Sequence, residues 1–94
     1  MFIVVQKITV EENNVQALID SLSGRDILTE QKGFVDLSVM KHQDEKNVVG
    51  VIGRWESKED WKAWEDTDDR QEVKSVDIVS ADTNFYELEN IVKK

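Results

Sequence analysis

The sequence predicts an α+β fold of the ferredoxin-like kind, a four-stranded antiparallel sheet with helices on one side and the element order β-α-β-β-α-β. Three observations carry this expectation. The chain opens on a run rich in β-branched residues, two later segments place apolar residues at helical spacing, and a polar loop at 42–47 separates two further strand-like runs.

Phe2 to Val10 reads as the first strand, with Phe2, Val4, Ile8 and Val10 on one face, Ile3 and Val5 on the other, and Gln6 in the middle of the more apolar face. A helix is expected from about Asn13, with Asn13 as N-cap and Gln16 reaching back in a capping box. Val15, Leu18, Ile19 and Leu22 then form one apolar stripe at i, i+3, i+4 and i+7. Gly24 ends or loosens this helix, and Gly33 marks the turn into a strand over Phe34 to Lys41. Val48 to Trp55 returns as the third strand. Ser57 caps a second helix, with Asp60 three residues on and Trp61 and Trp64 on its inner face. Thr67 is read as the cap of a further short helix with Val73 and Val76 facing inward, and a last strand is expected from about Thr83 to Val92.

The 94 residues, 39% hydrophobic and 34% charged, are enough for one domain spanning 1–94 with one modest core. Twelve Lys and Arg against twenty Asp and Glu give a net charge of −8, which opposes nucleic-acid backbones and anionic membrane surfaces. The acidic run from Glu56 to Glu72 is the wet side of the helices, and Asp66, Asp68 and Asp69 lack the spacing and closing glutamate of a calcium loop. Without cysteine there is no disulfide, thiolate zinc site or Cys nucleophile, and one histidine does not make a multi-His metal centre or a Ser-His-Asp triad. The N-terminal apolar run, Phe2 to Val5, is too short for a signal peptide, and no stretch approaches the ~20 apolar residues of a membrane helix. A cytoplasmic chain is the expectation.

Both faces of the sheet read as apolar. Ile3 and Val5 lie opposite Phe2, Val4 and Ile8, and Val49, Val51 and Trp55 lie opposite Val48 and Ile52. Helices cover one face, so a second subunit is the economical cover for the other, and a homodimer is expected.

The segment 54–64, RWESKEDWKAW, resembles the strand-to-helix motif of the antibiotic biosynthesis monooxygenase superfamily, small dimeric α+β-barrel proteins that include haem-degrading monooxygenases. The likeness extends to the first strand, FIVVQKITV, to Gly33 and Phe34 opening the second, and to overall length. In the haem-degrading branch the resemblance implies three working positions: a first-strand asparagine, a second-helix tryptophan, and an iron-ligating histidine ten residues further on. Here they fall on Gln6, Trp64 and Lys74. Gln6 keeps an amide on a longer arm, whereas the ammonium of Lys74 has no lone pair for iron. The superfamily also contains oxygenases that use neither metal nor flavin, which need only an apolar pocket and a donor to an enolate or phenolate.

The leading expectation is therefore a monooxygenase acting on a small aromatic or polycyclic compound, with Gln6 and Trp64 catalytic, Lys74 adding positive charge to the pocket, and no cofactor. The alternatives are haem binding or degradation with altered ligation, and a non-catalytic dimeric ligand-binding protein. Each residue also has a plainer reading. Trp55, Trp61 and Trp64 can all be core, Gln6 can be an edge residue or an amide paired with a neighbouring helix, Lys74 a solvated lysine, Met40 strand packing and His42 a loop residue. A buried Gln6 without a partner would cost about 1–3 kcal/mol, which makes a cavity, water or ligand beside it a reasonable expectation.

Overall fold

A computed structural model of the chain describes residues 1–67 and 77–94. Strands β1 (Phe2–Val10), β2 (Phe34–Lys41), β3 (Val48–Trp55) and β4 (Ile78–Glu87) form one antiparallel sheet in the order β2-β3-β1-β4. Helix α1 (Val15–Ser23) joins β1 to β2 and α2 (Lys58–Glu65) follows β3. This is the expected ferredoxin-like arrangement.

The helix α1 begins differently from expectation. A tight 3-10 turn over Glu12–Asn14 precedes it, and the Asn14 N–H donates to Glu11 O at 2.8 Å and the Val15 N–H to Glu12 O. Backbone carbonyls thus serve donors that the Asn13 and Gln16 capping box would have met, and Gln16 Nε2 instead donates to Asp20 Oδ1 at 2.9 Å. The apolar stripe is as expected, with Val15, Leu18 and Leu22 buried. A second 3-10 turn, Asp26–Glu30, buries Leu28, an element too short to show a period in sequence.

The junction before α2 is set by a glycine. Gly33 has φ 79°, and a Cβ there would collide with the Asp60 carboxylate. Its carbonyl accepts from the Glu56 N–H at 2.7 Å, tying the start of β2 to the end of β3. Ser57 caps α2 by accepting from the Asp60 N–H at 3.2 Å, and its hydroxyl donates to Asp60 Oδ2 at 2.9 Å. Thr67 closes the other end by donating to Trp64 O at 2.8 Å. The further short helix with Val73 and Val76 lies outside the described residues.

Strand β4 begins and ends about five residues before the expected span. Its partner sets both limits: β1 pairs Val10 with Ile78 at one end and Phe2 with Glu87 at the other. Past Glu87 the Leu88 N–H donates to Met1 O at 2.9 Å, and Ile91 and Val92 in the tail are exposed.

Side chains alternate across a strand, so this register places Val4, Gln6, Leu37, Val51, Gly53, Thr83 and Phe85 on the helix-facing side. That side carries two separate buried clusters. One joins Ile8, Val10, Val49 and Val51 to the α1 stripe, and the other joins Phe2, Val4 and Trp55 to Leu28 and Trp64. On the far side Ile3, Val5 and Ile52 are half-buried, and Arg54 grips the Asp36 carboxylate with two N–H donors, the Nε bond measuring 2.8 Å.

This frame is testable at two positions. Gly33→Ala forces a left-handed alanine and displaces Asp60 from its cap, and urea unfolding should show a loss of about 2–4 kcal/mol. The hydrogen bonds from Arg54 hold the Asp36 carboxyl below its ordinary range. A depressed native pKa gives stability that is present above the unfolded value and is lost as pH falls through the native one. The melting-temperature gap between wild type and Asp36→Asn should therefore be open at neutral pH and close as the carboxylate is protonated in acid.

Candidate functional site

The gap between the two buried clusters is a cavity of about 500 Å³. Its sheet wall is made by Val4, Gln6, Val51, Gly53, Thr83 and Phe85, and its helical wall by Leu22, Leu28, Trp61, Trp64 and Glu65. Gln6 sits on β1 between Val4, which belongs to one cluster, and Ile8, which belongs to the other. The cavity therefore lies where an apolar β1 side chain would otherwise have joined the two halves of the core.

Gln6 is half-buried, and its amide is held from the neighbouring strand: Nε2 donates to Thr83 Oγ1 at 3.3 Å. The pairing is a direct consequence of register, since Gln6 and Thr83 are opposite one another. One N–H is committed to Thr83. The second N–H and the Oε1 carbonyl have no partner among the described residues and are available to a ligand.

Five aromatic rings line the same space: Phe34, Trp55, Trp61, Trp64 and Phe85. Phe34 meets Trp55 edge to face with centroids 5.2 Å apart, and Trp61 and Phe85 approach to 4.9 Å. Phe2 packs behind that second pair, 5.5 Å from Trp61 and 5.7 Å from Phe85. The tryptophans are thus core and wall at once: Trp64 is 5% exposed and Trp55 3%, and each also faces the cavity. Ile78, Thr83 and Phe85 on the edge strand β4 are exposed, and they form the open side of the wall among the described residues.

The structure brings Gln6 and Trp64 to one cavity, while Lys74 lies outside the described residues. Sequence reasoning favours packing for Trp55 and Trp61 and does not single out Arg25, Thr83 or Phe85. Thr83 and Phe85 share strand parity, but the register that sets them beside Gln6 and Val4 comes only from the three-dimensional pairing. Arg25, in the turn after α1, carries no motif that points to it. Arg25 and Glu65 are the charged residues of the wall among the described residues.

Among the described residues the walls offer no ligand for haem iron. No His, Cys, Met or Tyr lines the cavity among the described residues, and the segment 68–76 contains none of these in its sequence. His42 is in the β2–β3 hairpin, where its Nδ1 accepts from the N–H groups of Asp44 and Glu45 at 3.1 and 2.9 Å. Met40 and Tyr86 lie on the far side of the sheet, in register with Gly50 and Ile3. The donor set does not fit haem ligation. No group of three or more His, Asp or Glu side chains able to hold a metal occurs among the described residues either.

The sequence profile of the antibiotic biosynthesis monooxygenase family matches residues 1–75. The chain belongs to this family. The heme-degrading monooxygenase HmoA of Bacillus subtilis is 38% identical over 74 residues, covering 72% of this chain and 65% of that protein, so the match spans a little under two thirds of the relative's length. Among solved structures, a monooxygenase of Streptomyces coelicolor in complex with nanaomycin D superposes with a TM-score of 0.83 at 16% identity, covering 99% of this chain and 91% of that one. SnoaB, a cofactor-independent oxygenase from Streptomyces nogalater, superposes with a TM-score of 0.76 at 10% identity, covering 99% and 97%. At these identities the two structures establish a shared fold. No helix among the described residues is long and apolar enough to cross a membrane.

The double role of Trp64 governs how this family member should be probed. Trp64→Ala removes a ring from the second core cluster and should cost about 3–5 kcal/mol, against roughly half of that for Trp64→Phe. Denaturant titration of both variants checks this, and only a variant that remains folded reports on the cavity.

Proposed function

We propose that the chain is an oxygenase of a hydroxylated aromatic or fused-ring compound, working in this cavity without metal or flavin. The observation that carries the reading is a cavity with five aromatic rings, one carboxamide fixed at the seam of the core, and no iron ligand in its wall among the described residues. Such a site suits a planar substrate whose ionised oxygen needs a hydrogen-bond donor.

The chemistry asks little of the protein beyond this. An aromatic ketone with an activated methylene, once deprotonated to its enolate, is electron-rich enough to reduce dioxygen itself. In the net reaction one methylene group and one dioxygen molecule give one carbonyl group and one water. Both C–H bonds of the methylene break, one oxygen atom enters the product, and the other leaves as water with the two hydrogens. The uncommitted N–H of Gln6 would donate to the enolate oxygen and favour the ionised form. Thr83 would keep that amide from turning away. Trp64, Trp61 and Trp55 would hold the ring system and exclude water, which strengthens the amide contact.

The far side of the sheet supports a homodimer. Ile3, Val5 and Ile52 are half-buried there and Met40 and Tyr86 are exposed, with no helix over them among the described residues. Sedimentation at micromolar concentration should give a dimer mass, and a monomer mass would refute this assembly.

The reading is tested by oxygen uptake with anthrone-type and hydroxynaphthalene substrates, in the presence of a chelator and without flavin. Wild type should consume oxygen, and Gln6→Ala, with its fold intact by circular dichroism, should lose about 10²-fold or more in turnover. Unchanged turnover would remove Gln6 from the mechanism. The 38% identity to a heme-degrading protein favours a second reading, haem binding with altered ligation. Saturable haemin binding at one per subunit, with loss of the Soret band under reductant in air, would establish it in place of the first.

A further inference from the structure

On the reading of the cavity as an aromatic-binding site, we propose that Gly53 is its specificity-determining residue, whose missing side chain lets a fused-ring ligand lie flat against the sheet.

Glycine in the interior of a central strand is costly, because it surrenders more chain entropy than other residues and packs nothing. At Gly53 neither the backbone conformation nor the room for a Cβ requires it. Among the described glycines only Gly33 has a positive φ, so the conformation at Gly53 is open to any residue. A Cβ built there would meet Leu37 Cδ1 at 3.5 Å and Trp55 Nε1 at 3.7 Å, which is ordinary contact. The other glycine of this strand, Gly50, lies on the opposite face, where a Cβ would meet Met40 Cε at 3.4 Å, and is not among the cavity residues.

What Gly53 supplies is space where the cavity needs it. It lines the wall, pairs with Val4 on one side and Leu37 on the other, and is flanked on the same face by Val51 and Trp55. Gln6 pairs with Val51, one step along this face, so the bare backbone of Gly53 lies diagonally beside the carboxamide. A ring system resting there keeps its edge within reach of the Gln6 amide. A side chain at position 53 would lift an extended ring off the sheet and away from that donor, while a smaller ring still fits beside it.

The test uses the full chain and two probes, 2-naphthol and the four-ring 1-hydroxypyrene, followed by tryptophan fluorescence. Gly53→Ala and Gly53→Val are compared with Gly50→Ala, a matched change on the other face. Gly53→Val should weaken 1-hydroxypyrene at least about tenfold and 2-naphthol less than about threefold, with Gly53→Ala between wild type and Gly53→Val and Gly50→Ala like wild type. Gly53→Ala should melt at or above the wild-type temperature, since a Cβ there makes only ordinary contacts, and Gly53→Val is compared with it once circular dichroism shows the same fold. Wild-type affinity for 1-hydroxypyrene in Gly53→Ala and Gly53→Val, or an equal loss of both probes, would overturn the role of Gly53 alone. Failure of the wild-type protein to bind either probe would overturn the aromatic-cavity reading and this inference with it.

Discussion

Among the described residues, two helices of nine and eight residues lie over one side of a four-stranded sheet and leave its middle uncovered. The α1 stripe closes over Ile8, Val10, Val49 and Val51, and α2 with the Leu28 turn closes over Phe2, Val4 and Trp55. Each cluster is a small core in its own right. Between them the sheet presents Gln6 and Gly53, an amide that resists full burial and a residue with no side chain to bury, and the half-buried Leu37 packs against both clusters at their border. The cavity, its aromatic wall and the placement of its one amide all depend on this division.

Cavities cost stability, and this domain offsets that cost with residues that serve both structure and site. Trp55 and Trp64 are buried in the second cluster and also line the cavity. Trp61 and Phe85 contact each other at a different part of that wall, with Phe2 packed behind them. Rings fixed by their neighbours lose little further freedom when a flat ligand arrives, which favours preorganised binding over collapse. The turn at Gly33 and the Ser57–Asp60 cap have a comparable function at a distance: they fix where α2 starts, and so where Trp61 and Trp64 project.

Much of this is legible in the amino-acid sequence because the responsible signals are local. The strand spans of β2 and β3, the α1 stripe and the Ser57 cap each follow from residues within a few positions of one another. Gln6 stands out as a polar residue among apolar neighbours, and Trp64 by its motif. The start of α1 departs from the sequence expectation because a 3-10 turn supplies with backbone carbonyls what Asn13 would have supplied with a side chain. The limits of β4 depart from it because they are set by the length of β1, not by the apolar tail at Ile91 and Val92. Thr83, Phe85 and Gly53 acquire meaning only through cross-strand register, which one sequence does not contain.

We assign the space between the two cores to the binding of a planar hydroxylated aromatic. The most direct test of this assignment is a proton–nitrogen NMR titration of the labelled protein with 1-hydroxypyrene, observing the three indole N–H signals and the side-chain amide of Gln6. All three tryptophans and Gln6 line the cavity, whereas Gln43 is in the hairpin loop. The three indole signals and the Gln6 amide should shift together and saturate, with Gln43 unmoved. Unmoved indoles, with shifts confined to the far-side residues Met40 and Ile52, would contradict the assignment.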